Sequence, residues 1–173
     1  MRKRSRPPAC RFSLQAFWFV RGLNIIRLEE VPIPDLAALR RAVRPYRRRR
    51  SVALYLNRDD CQTGSVWAYF SGARAWVAHF DFPGGTDAYA RSTRGLARLP
   101  ERIGFMIDNG QEDFVHRSWT IPRADGLRAL EYFFLHGERH SGLDWVERPG
   151  NLWQPAYPQK ALGLTRKTRP RPR

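Results

Sequence analysis

The stretch Ile121–Trp145, IPRADGLRALEYFFLHGERHSGLDW, decides the fold. Pro122 supplies a fixed φ at a helix start, where a missing N–H costs nothing, and Gly137 supplies a left-handed stop. Between them Leu127, Leu130 and Phe134 recur at steps of three and four, with Phe133 and Ala124 at the shoulder of the same face. Asp125, Arg128 and Glu131 point the other way. The spacing predicts one amphipathic helix that must lie on another layer. After a polar turn, Leu143, Trp145 and Val146 read as a short extended segment returning to the sheet beneath. Burying the indole and the two phenyl rings contributes roughly 2–3 kcal/mol each before entropy is subtracted.

Upstream of the helix the pattern changes to period two. Residues 65–70 and 73–80 are β-prone runs around Ser71-Gly72, a two-residue hairpin signal, and 103–108 and 114–121 flank Asn109-Gly110, which favours a primed turn. Val66, Ala68 and Phe70 share one side of the first run and Trp67 and Tyr69 the other. Aromatics on both faces imply a helix layer on one side and a partner or loop on the other. Residues 51–57 alternate as a half-exposed strand, and residues 23–31 read as a first strand broken by Pro32 and Pro34. Asp35 caps a helix through Val43 with Leu36, Leu39 and Val43 inward. Residues 81–100 form the longest irregular stretch, where Gly84-Gly85 suits a close backbone approach or a ligand. The order β-α-β-β-β-loop-β-β-α-β predicts an α+β fold, a mostly antiparallel β-sheet with two helices packed on one face and basic disordered termini.

The chain of 173 residues carries a formal charge of +15, unevenly placed. Residues 1–50 hold fourteen Lys+Arg against three acids, 51–150 eleven against thirteen, and 151–173 six against none. The expected organisation is a basic, disordered extension over 1–22, one domain over 23–148, and a basic Pro-rich tail over 149–173. Leu152, Trp153 and Tyr157 are placed to pack back, and the segment after Lys160 should be loose. Only Lys3, Lys160 and Lys167 are lysine, a bias that fits GC-rich coding better than selection for phosphate contacts. Cys10 and Cys61 make no disulfide framework, which points to a reducing compartment. No apolar run approaches the ~20 residues needed to span a bilayer. The opening residues imitate a secretory signal, but Arg11 and Gln15 interrupt it and no small-x-small site follows, so the expected location is cytoplasmic. A later true start, with the first twenty or so residues as an upstream extension, is the alternative.

Chemistry-bearing motifs are scarce. His136 and His140 in HGERH do not make a zinc-protease helix, because Glu138 is misplaced and Gly137 breaks the helix between them. His136-Gly137-Glu138 matches the H-x-E of zinc deaminases, yet no P-C-x-x-C follows. Neither a nucleophile elbow nor a phosphate loop is present. The residues read as a binding module, not an enzyme, with no catalytic residue, metal or cofactor expected.

The runs SVWAYFSGARAWVAHF, FPGGTDAY, IGFMIDNGQEDF and TIPRADGLRALEYFFLHGERHSGLDW resemble the immunity proteins of bacterial polymorphic toxin systems, specifically the first-numbered immunity family. The likeness covers residues 23–147. Ile121, Pro122, Ala129, Phe133, Gly137, Leu143 and Trp145 occupy the places of that family's Ile-Pro helix start, its Ala, Phe and Gly, and its closing hydrophobic-x-Trp strand. Where the family usually has Pro before that strand, this chain has His140-Ser141-Gly142. The resemblance implies a cytoplasmic protein that binds one cognate toxin, usually a nucleic-acid deaminase, and blocks its active site. On that reading the toxin-binding residues are Asp59 and Asp60 in the first loop, Trp67 and Tyr69 on the outer sheet face, Asp81 and Asp87 beside the glycines, and Asp108, Glu112 and Asp113 at the second hairpin. Their carboxylates would occupy positions otherwise taken by substrate phosphates. The rival reading is a nucleic-acid-binding protein that uses the Arg-rich stretches 2–6, 47–50 and 166–173.

Overall fold

The computed structural model describes residues 11–20, 25–58, 64–81, 87–147 and 151–156. Asp59, Asp60, Gly84, Gly85, both cysteines and the outer parts of both termini lie outside these. Among the described residues, ten strands and two α-helices follow in chain order. They are β1 Phe12–Val20, β2 Ile25–Ile33, α1 Leu36–Val43, β3 Ser51–Arg58, β4 Ser65–Ser71, β5 Arg74–Phe80, β6 Ala88–Arg91, β7 Arg102–Met106, β8 Glu112–His116, β9 Ile121–Pro122, α2 Arg123–His136 and β10 Asp144–Glu147. The architecture is α+β. Seven strands run in the order β10-β6-β5-β4-β3-β1-β2, β9 adds to β5 as the eighth, and β7-β8 form a separate ribbon. Every pairing is antiparallel.

β1 corrects the expectation of a disordered extension over residues 1–22. Phe12, Leu14 and Ala16 are buried toward the helices while Ser13 and Gln15 alternate with them, so the polar residues that interrupted an apolar run are the other phase of a strand. β1 lies inside the sheet, pairing Phe17 with Leu28 of β2 and Leu14 with Leu56 of β3. β2 continues through Pro32, which the prolines were expected to prevent. It is the last strand of its sheet, and an edge tolerates a residue that cannot donate.

Asp35 caps α1 as expected, its carboxylate accepting from Ala38 N–H at 2.7 Å. α2 runs from Pro122 at its N-cap to Gly137, whose φ of 69° takes the left-handed stop and whose N–H donates to Phe133 O. Its buried face is Gly126, Ala129, Leu130 and Phe133, with Leu127 and Phe134 flanking and Ala124 exposed. That is a rotation of the expected stripe, because the closest approach to the sheet is at the residue with no side chain. A Cβ at Gly126 would stand 2.6 Å from Ala75 Cβ and 3.1 Å from Phe70 Cε1. α2 lies over β4 and β5, and α1 packs on β2 and α2. Between helices and sheet sits the larger core, including Leu14, Leu39, Leu54, Leu56, Phe70, Val77, Ile121 and Phe133.

The opposite face of the sheet is covered too. β7 lies across β3 and β4, and a second core joins Ala53, Tyr55, Tyr69 and Trp76 of the sheet to Phe105, Val115 and Trp119. Strand β3 is therefore buried on both faces from Val52 to Leu56, not half-exposed. Residues 151–156 complete this third layer and correct the expected boundary at 148. Leu152 and Ala156 pack on the second core, Leu152 O accepts from His116 N–H at 2.8 Å, and Trp119 Nε1 donates to Gln154 O at 2.8 Å.

Both hairpins form with altered turns. Ser71 pairs with Arg74, so the β4-β5 loop is Gly72-Ala73, shifted by one residue. Between β7 and β8, Ile107 N–H donates to Gln111 O and Gly110 N–H to Ile107 O, closing the three-residue loop Asp108-Asn109-Gly110. Gly110 takes φ 83°, the left-handed position that three-residue hairpin loops require. β8 is also shorter than the expected 114–121 strand, since a 3-10 turn over Arg117–Trp119 follows it.

Candidate interaction surface

The expected aromatic contact face is interior. Tyr69 is buried, stacked on Trp76 at 4.7 Å, and its hydroxyl accepts from Tyr55 OH at 2.9 Å. Trp67 is half-buried between Tyr55 and Phe80, both at 4.4 Å. Burial holds the Tyr69 phenol far above its ordinary range and pushes Tyr55 up to about 12, where Asp108 nearby acts in the same direction. These rings are the sheet's second core, not an open contact surface.

The carboxylates divide. Asp81 is engaged by its neighbours: one oxygen lies 3.0 Å from Arg139, which also binds Glu147 at 2.7 Å, and the other lies 3.2 Å from His79 Nδ1. Asp87 is exposed, and Asp113 is half-buried and accepts from Phe114 N–H at 2.9 Å. Asp108 and Glu112 are exposed at the tip of the β7-β8 ribbon. Of the structural motif, Ile121, Ala129 and Phe133 are fully buried, Pro122 and Gly137 bound the helix, and Leu143 and Trp145 pack at the margin of the main core, with Trp145 Nε1 donating to His140 O at 3.0 Å.

His79 is 2% exposed, edge-on to Phe133 and Trp145, and neither ring nitrogen has a hydrogen bond of good geometry. Burial lowers its pKa, Asp81 opposes that, and Arg139 adds to it. A shallow groove here is lined by His79, Asp81, Gly137, Glu138 and Arg139. The His136 and His140 rings lie tilted against Tyr132, at 4.3 and 4.8 Å between centroids. Among the described residues no cluster of three or more His, Cys, Asp or Glu could hold a metal, and no helix is long and apolar enough to cross a membrane.

The outward face of the ribbon carries what the sequence reading missed. Phe114 is 47% exposed there, in the same strand phase as Glu112, while Val115 and Phe105 of the other phase are fully buried. Next to it Arg102 lies over the ring of Trp153, which is 57% exposed. Glu112 folds across Gly104, its carboxylate taking the space that a Cβ there would need. An aromatic in the polar phase of β8 was the available signal. No protein-family model matches the chain, and no curated protein is similar to it. The likeness to immunity proteins therefore rests on the motif residues alone.

Proposed function

We propose that the protein is a binding module, without catalysis of its own, that neutralises a cognate toxin domain by covering its active site with the outward face of the β7-β8 ribbon. The observation that carries this is the exposure of Phe114, on a ribbon whose inner side is anchored by buried Phe105 and Val115, together with that of Trp153, over whose ring Arg102 of β7 lies. Aromatic and arginine side chains on a rigid support are the residues that dominate protein interfaces. Exposed Glu112, in the strand phase of Phe114, and exposed Asp108 in the hairpin loop suit a basic partner, such as a deaminase-type toxin whose site receives nucleic-acid phosphates. The motif resemblance supports the same class, with a cytoplasmic site of action.

The test is calorimetry with the toxin domain encoded beside this chain. Phe114→Ala with Trp153→Ala should weaken binding by roughly 2 kcal/mol or more, mainly through dissociation. Asp108→Lys with Glu112→Lys should slow association most at low salt. Full-strength binding by both double variants would remove the ribbon from the interface. Turnover of a nucleic-acid substrate by the purified protein would remove the class.

A further inference from the structure

The structure assigns a second surface, on the helix side of the sheet: we propose that Arg40, Arg41, Arg44 and the run Arg47–Arg50 form a docking site for the phosphodiester backbone of nucleic acid. All seven side chains are exposed. Glu131 is the carboxylate that ion-pairs with them, at 2.8 Å from Arg40 and 3.9 Å from Arg47. Arg41, Arg44, Arg48 and Arg50 have no carboxylate partner among the described residues.

The segment is held in place. Arg123 donates to the carbonyls of Tyr46 at 2.7 Å, Arg47 at 2.9 Å and Gly72 at 3.0 Å, while its guanidinium lies over Phe70 at 4.6 Å. Gly72 N–H donates to Arg50 O at 2.7 Å, and Arg49 N–H to Tyr46 O at 3.1 Å. Arg49 itself lies across Trp18 at 4.7 Å. A solvated connector needs no such anchoring. Fixing like charges together costs repulsion that a polyanion relieves. Arginine is the usual cation throughout this chain, so placement carries the argument, not residue type.

An anionic bilayer fits less well. Membrane-surface helices insert an apolar face, whereas Leu39 and Val43 of α1 are committed to the core and Tyr46 is turned inward. The residues left facing out over 44–50 are arginines and Pro45. Nothing in this pattern reads bases, so binding should be independent of sequence.

The experiment is fluorescence anisotropy of labelled single- and double-stranded oligonucleotides with the full chain, titrated across salt. Three variants are compared with wild type. One changes Arg41, Arg44, Arg48 and Arg50 to Gln, one changes the same four to Lys, and one removes equal charge elsewhere through Arg11, Arg94, Arg98 and Arg128→Gln. Each phosphate contact contributes about 0.9 (duplex) or 0.7 (single strand) to the slope of log affinity against log salt. The first variant should bind about tenfold or more weakly at low salt, with a slope shallower by about 3. The Lys variant and the charge-matched variant should stay near wild type. Equal losses in the two Gln variants would reduce the effect to net charge and overturn the proposal. So would wild-type binding by the first variant, which would place contact on the basic tails. Tighter binding to anionic vesicles than to either oligonucleotide, lost in the same variant, would replace nucleic acid with a membrane.

Discussion

Gly126 sets the distance between α2 and the sheet. Replacing a helical glycine with alanine ordinarily stabilises by about 1 kcal/mol. Here the new methyl would meet Ala75 Cβ, which rides on a strand and cannot swing aside, and overpacking of this kind costs ~1–3 kcal/mol. Gly126→Ala should therefore lower stability by about 1 kcal/mol net in urea denaturation, despite improved propensity. Pattern reading found this helix from its apolar side chains and passed over the residue whose lack of one fixes the packing. His79 offers a second test. Burial holds its folded pKa below the ordinary value of about 6.5, so between those two values the unfolded chain binds more protons and stability rises with pH. The groups around it are Asp81 on the chain after β5, Arg139 and Glu138 after α2, and Glu147 of β10 through Arg139. His116, lowered by burial and then by Arg117, contributes with the same sign. Stability measured from pH 5 to 7 should climb, and His79→Leu should flatten part of that climb; an unaltered profile refutes the assignment.

At the level of elements, the β7-β8 ribbon acts as a cover. Periodicity correctly separated Trp67 and Tyr69 from Val66 and Ala68, because strand phase is local. What lies against each phase is decided by residues some forty positions later, which no local pattern carries. Phe105 is 0% exposed and meets Trp76 at 6.1 Å. Phe105→Ala should cost about 3–5 kcal/mol and unseat the ribbon, seen as a red shift of tryptophan emission as Trp76 and Trp67 gain water. An unshifted spectrum with the same loss of stability would mean that the cavity stays sealed. The turn at Asn109-Gly110 was recognised by its residues, yet the chain recruited Asp108 as well, which keeps that carboxylate beside Tyr55.

Across the whole molecule, the fold class, the α2 boundaries and the α1 cap were legible, since each depends on neighbours within a few residues. The central position of β1 was not. Its Arg11 and Gln15 looked like breaks in an apolar run preceded by a basic tail, and only pairing with β2 and β3 makes them surface and alternation. A chain beginning at residue 22 would lack a strand bonded on both sides, leaving the edges of β2 and β3 bare. It should show no cooperative thermal transition, whereas wild type should; a sharp transition in the shortened chain would make β1 dispensable. The same placement bears on biosynthesis. Translation delivers β1 and β2 before β3, so one row of peptide groups on the nascent ribbon stays open while residues 34–58 are added, about 1–5 s at typical elongation rates of about 5–20 residues per second. For that interval the polysome carries a template for neighbouring chains, and slow codons over residues 34–50 would lengthen it.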